Sequence, residues 1–164
     1  ADWQALTIDK QARADIKGQK PFVLWFSGVP SNGRSTIADL LEKKLYTLGK
    51  HAYLLDSDQV RAGLNKDLTL GEAHQIEHLR RIAEVSKLMV DAGQIVLVAS
   101  HSSIRVGQAV PQPQVDGQEF VEVLIDLPQQ VAPHPRIRID TTKQTPEQSV
   151  AQILEELTGL GILK

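Results

Sequence analysis

Five short, near-continuous apolar runs recur along the chain: Phe22 to Phe26, Ala52 to Leu55, Ile95 to Val98, Phe120 to Leu127 and Ile137 to Ile139. Helical patterns separate most of them. Ile37, Leu40, Leu41, Leu45 and Leu48 mark one helix face, with Gly49 as a stop signal. From about Glu72 to Ala92, Ile76, Leu79, Ile82, Ala83 and Met89 mark a second, ended by Gly93. A third opens at "TPEQ", where Thr145 can cap, Pro146 suits the first helical position and Gln148 can complete a capping box. Val150, Ile153, Leu154 and Leu157 form its inner face. Apolar strands alternating with helices predict a three-layer α/β domain whose central parallel sheet of about five strands is covered on both faces. One connection is odd: "PQQVAPHPR", between Leu127 and Ile137, leaves no room for the helix that a parallel crossover usually contains.

With 164 residues, 41% apolar and 23% charged, the chain suits one soluble domain, residues 21–164, preceded by a polar, potentially helical arm over residues 1–20. A net charge of -2 gives no reason to expect general nucleic-acid binding. The chain has no cysteine, which removes disulfides, thiolate catalysis and cysteine-based zinc sites together. No apolar run approaches the ~20 residues that span a bilayer. The expectation is a cytoplasmic protein without a membrane partner.

The first run leads directly into "SGVPSNGRST", Ser27 to Thr36. A phosphate-binding loop needs a strand that delivers inward-pointing backbone N–H groups to the start of a helix. A hydroxyl there reaches Mg²⁺, and a lysine reaches the outer phosphates. Gly28, Gly33, Ser35 and Thr36 fit this pattern, and Ser31 and Asn32 occupy positions where small residues are usual. Arg34 stands where the lysine belongs; it keeps the charge but replaces a compact ammonium with a planar fork. The dinucleotide pattern G-x-G-x-x-G does not match. Read from these residues alone, a plain strand–turn–helix and a nucleotide site remain open.

The second run ends "YLLDSDQVRAGLNKDL". It places Asp56 and Asp58 at a strand's carboxyl end, where open α/β sheets bind ligands, with Arg61 one helical turn on. A carboxylate there can hold Mg²⁺ or accept a hydroxyl proton, and the arginine can clamp an anion. Helix capping and a solvated arginine are the alternative.

Taken with "KGQKPFVLWFSG", "LRRIAEVSKLMVDAGQIVLVAS", "EFVEVLIDLP" and "RIRIDTT", these segments resemble the adenylylsulfate kinase family from about Lys10 to the C-terminus. The resemblance implies a P-loop, nucleotide-kinase-like fold. It also implies transfer of the γ-phosphoryl of ATP, with Mg²⁺, to the 3′-hydroxyl of adenosine 5′-phosphosulfate (APS), giving PAPS in sulfate assimilation. It further implies a homodimer and association or fusion with ATP sulfurylase. Under it, Gly28, Ser31, Asn32, Gly33, Arg34, Ser35 and Thr36 hold ATP, and Ser35 and Asp58 hold the metal. Asp58, Arg34 and Ser102 occupy catalytic positions, Ser102 aligning with a serine phosphorylated in some members. Asp56, Arg61, Asn65 and Arg105 bind APS.

Several positions depart from the family pattern. Ser57 and Gln59 replace a glycine and an asparagine within "DSDQVR". Thr69, Leu70, Gln75 and His78 stand where an aromatic stacking partner and an anion clamp are expected, and the basic lid that should follow "DLP" is absent between Val131 and Ala132. Disorder, evolutionary loss and engineering are three explanations for the lid. The alternative to an enzyme is an impaired relative that binds nucleotide and serves a regulatory or interaction role. His74 and His78, four apart around Glu77, fit a solvated helix face better than a metal site, since no third ligand accompanies them. His51, His101 and His134 have no partner readable from sequence, and Trp25 and Phe26 are expected in the core.

Overall fold

The computed structural model describes residues 7–28, 34–100, 113, 115–127 and 134–164, the side chains of Arg34 and Ser35 excepted. Five parallel strands form one sheet in the order β2-β3-β1-β4-β5, from β1 (Phe22–Gly28), β2 (Ala52–Asp56), β3 (Ile95–Ala99), β4 (Phe120–Ile125) and β5 (Arg136–Ile139). The central strands are buried along almost their whole length. This explains their near-continuous apolar sequence, because both faces are covered and neither has to meet water.

The pleat divides β1 between two cores. Phe22, Leu24 and Phe26 face helices α2 (Arg34–Thr47) and α5 (Pro146–Gly159), joined by Ile37, Leu41, Leu45, Ile153 and Leu157. Val23 and Trp25 face the opposite layer, α3 (Ser57–Ala62) and α4 (Glu72–Asp91), through Val60, Leu79, Ile82 and Val90. Each large side chain buried in this way contributes roughly 1.5–3 kcal/mol. Trp25 and Phe26 are core residues, 2% and 0% exposed. Leu48 was expected on the inner face of α2 but lies past its last residue, Thr47, and is exposed, because the chain has already left the helix for the turn at Gly49.

The capping signals of α5 form as read: the Thr145 hydroxyl accepts from the Gln148 N–H, and the Gln148 side chain accepts from the Thr145 N–H. Within residues 1–20, Lys10–Lys17 form α1, capped by Asp9 and closed by Gly18 at φ 63. Arg13 pairs with Asp91 at 2.8 Å, and the Gln19 side chain bridges the carbonyls of His51 and Gly93, so this helix is docked on the end of α4. The connection from β4 to β5 occupies only residues 126–135. The two strands are nonetheless parallel neighbours. Asp126 turns the chain at φ 57, and its carboxylate accepts from the backbone and hydroxyl of Thr141. The lid junction expected between Val131 and Ala132 lies outside the described residues.

Candidate active site

Strand β1 ends at Gly28 and α2 begins at Arg34, with residues 29–33 between them in the chain. Ser31, Asn32 and Gly33 lie outside the described residues, as do the side chains of Arg34 and Ser35; Thr36, in the first turn of α2, is exposed. The carboxyl ends of the strands share one edge. Phe26 of β1 and Asp56 of β2 both register with Ala99 of β3, and Gly28 registers with Ile125 of β4. An open α/β sheet places its ligand crevice on this edge.

Asp56 ends β2, and α3 starts on the next residue, which puts Asp58 in the first turn and Arg61 in the last. Asp58 is exposed, and Asp56 and Arg61 are partly so. Two carboxylate residues and an arginine thus follow one another where β2 passes into α3, at the sheet's carboxyl edge. A cleft of about 460 Å³ opens at Asp56, lined also by Asp39, Glu42, Tyr53, Leu54, Gln59 and Ala99. Glu42 helps to shape it by accepting the Leu54 N–H at 2.9 Å. Ser102 and Arg105 lie outside the described residues.

Behind α3 runs a buried polar chain that sequence reading missed. Asn65, expected at the substrate, has no exposed surface and is enclosed with Ser57 and His78, which are 1% and 0% exposed. The imidazole of His78 lies 3.0 Å through Nε2 from Ser57 Oγ and 2.7 Å through Nδ1 from Asn65 Nδ2. Arg81 donates to Asn65 Oδ1 at 3.3 Å, which fixes the amide with its nitrogen toward the ring. Nδ1 therefore accepts, and Nε2 carries the proton donated to Ser57. Burial, followed by the charge of Arg61, lowers the His78 pKa to about 4, so the ring is neutral at physiological pH. This corrects the expected solvated face for the histidine pair. His78 points inward, while His74 accepts the Thr69 N–H and tightens the turn before α4. Among the described residues no cluster could hold a metal through His, Cys, Asp or Glu alone.

The outer end of this chain is tied to the surface. Arg81 grips Asp67 with two hydrogen bonds, at 2.8 and 3.1 Å, and donates Nε to Glu77 at 2.8 Å. Arg80 reaches the same carboxylate at 2.6 Å. These two arginines lower the Glu77 pKa to about 2, and the Arg81 hydrogen bonds likewise hold the Asp67 carboxyl below its ordinary range. Of the family departures, Leu70 is exposed, and Gln75 bonds back to the Leu70 carbonyl at 2.6 Å.

A second buried group supports β1 from beneath. Glu122 of β4 is fully buried, accepts from the Ser27 hydroxyl at 2.6 Å, and lies 3.2 and 3.3 Å from Arg136 and His134. Ser27 immediately precedes Gly28, so this carboxylate holds the strand end that leads into the glycine loop. A charged residue inside the apolar run "FVEVLI" was the readable signal for it.

The family model described as adenylylsulphate kinase matches residues 20–141. An adenylyl-sulfate kinase of Aeromonas hydrophila is 51% identical over 126 residues, covering 77% of this chain and 64% of that protein. The bifunctional enzyme CysN/CysC of Xylella fastidiosa is 39% identical over 185 residues, covering 94% of this chain and 30% of that protein. The second match extends over more positions than this chain has residues, so the relative carries residues with no counterpart here. The chain thus spans less than two thirds of either relative. Among solved structures, the hexameric APS kinase from Thiobacillus denitrificans superposes with a TM-score of 0.71 at 27% identity, covering 90% of this chain and 31% of that one.

Proposed function

The chain belongs to the adenylylsulphate kinase family, and on that premise we propose that it transfers the γ-phosphoryl group of ATP to the 3′-hydroxyl of APS, forming PAPS. The observation that carries this reading is the placement of Asp58 and Arg61 on a helix that opens directly off β2, on the same sheet edge as Gly28. Phosphoryl transfer asks little covalent chemistry of a protein. It needs the acceptor held in line with the transferred group and the developing charge stabilised.

In this proposal the backbone from Gly28 through Ser31, Asn32 and Gly33 to Thr36 binds the ATP phosphates at the N-terminus of α2, and Arg34 supplies the cation that lysine gives elsewhere. The hard oxygens of Asp58 and Ser35 suit Mg²⁺, which when bound neutralises phosphate charge. In this reading Asp58 also accepts the acceptor's hydroxyl proton. Asp56, Arg61 and Arg105 orient APS, and Ser102 takes the catalytic position that the family resemblance gives it. The bifunctional relative supports association or fusion with a second enzyme, for which ATP sulfurylase is our reading, and the hexameric neighbour supports self-assembly, for which a homodimer is the smallest form.

The test is ADP release from the full-length protein with Mg-ATP and APS. The expected outcome is turnover that requires APS and falls by ~10²–10³ in Asp58→Ala, the scale of losing one preorganised group. Calorimetric binding of nucleotide without turnover would instead establish the non-catalytic reading. Turnover with another acceptor, and none with APS, would reassign the substrate.

A further inference from the structure

Two of the departures from the family pattern, Ser57 and His78, touch each other in the interior, 3.0 Å apart and without exposed surface to speak of. They lie 21 positions apart in sequence, on α3 and α4. The hydroxyl at position 57 sits between the two carboxylate residues, Asp56 and Asp58, on the single peptide segment that turns β2 into α3.

Helix α3 is six residues long, and Val60 anchors it in the core. From Ser57 the hydrogen bonds continue through His78 to Asn65 and then Arg81, which is clamped by Asp67 and Glu77. Each link has one donor and one acceptor, so the chain has a fixed sense: guanidinium to amide oxygen, amide nitrogen to Nδ1, Nε2–H to hydroxyl.

We propose that Ser57 and His78 form a matched lock that sets the position of α3 on the sheet, and that they and Asn65 act on transfer by positioning Asp58 and Arg61 rather than by touching the acceptor. The inference rests on the phosphotransfer reading. It explains how a chain with a serine and a histidine at these two places keeps its carboxylates at the crevice: each residue supplies what the other needs, and the pair is enclosed where neither can reach a ligand.

The experiment is a double-mutant cycle in the full-length protein, Ser57→Gly, His78→Asn and the two together, with His78→Gln as the conservative variant. Asparagine is too short to span from Asn65 to Ser57, whereas glutamine places an amide near the Nε2 position. The lock predicts that kcat falls about 10-fold in either single variant, the scale of one internal hydrogen bond. It predicts that KM for ATP is unchanged, that the double variant is no worse than the singles, and that glutamine restores most of kcat. Additive losses, or a glutamine variant no better than asparagine, would overturn it.

Two readouts do not depend on turnover. Long-range ¹H–¹⁵N spectra at neutral pH should show His78 as the neutral Nε2–H form, with that resonance moving in Ser57→Gly. Amide hydrogen exchange over residues 57–62 should quicken about 10-fold in both single variants while β1 is unaffected. An Nδ1–H or charged ring, or unchanged exchange in α3, sinks the lock even in an active enzyme. An inactive protein with the expected spectra and exchange would sink the phosphotransfer reading alone.

Discussion

His78 is neutral in the fold with its pKa lowered to about 4, whereas in the unfolded chain a histidine titrates near 6.5. Between those values the unfolded state binds a proton that the folded state refuses, so stability falls as pH drops through that window and is flat above it. The full effect is about 3 kcal/mol. Urea midpoints at several pH values between 7.5 and 4.5 should trace it, and His78→Asn should remove that part of the slope. Glu77 acts at lower pH: its stabilising charge, held by Arg80 and Arg81, is complete above the ordinary carboxylate range and lost as pH falls through about 2. The paired histidines at positions 74 and 78 are visible in sequence, and so is their helical spacing. Which of them points inward is not, because that depends on the turn at Asn65 bringing an amide under α4.

Capping residues and periodicity made α2, α4 and α5 readable as elements, since their signals are local. The docking of α1 was not readable, because it depends on a contact between parts of the chain far apart in sequence. Gly93 adopts φ +87, and a Cβ there would lie 3.0 Å from the Arg13 backbone carbonyl. The glycine was legible as a helix stop, but its closeness to α1 was not. Gly93→Ala should combine left-handed strain with this collision and destabilise the fold by about 2 kcal/mol or more. A lowered denaturation midpoint with faster proteolysis of the first twenty residues would register it, whereas an unchanged midpoint would show that α1 contributes little.

For the molecule as a whole, parallel strands covered on both faces could be inferred from their apolar continuity. The strand order could not, because nothing in the runs themselves says that β3 inserts between β2 and β1. The three-sided buried site around Glu122 depends on that order, for it forms where β1, β4 and β5 lie side by side. Removing the carboxylate takes from the partly buried Arg136 an acid 3.2 Å away and from the buried Ser27 hydroxyl its acceptor, so Glu122→Ala should cost about 3 kcal/mol by chemical denaturation. A loss under about 1 kcal/mol would mean that the cluster is not a structural anchor.

Strand β5 ends the sheet, and its four residues alternate arginine and isoleucine. Both isoleucines are buried, while Arg138 is exposed and donates to the Leu127 carbonyl at 3.0 Å. A terminal strand offers a row of backbone groups on which another chain could polymerise. Here that row is short, and a second copy approaching it would bring guanidinium against guanidinium. The four-residue strand thus forms a border that resists aggregation by charge and brevity.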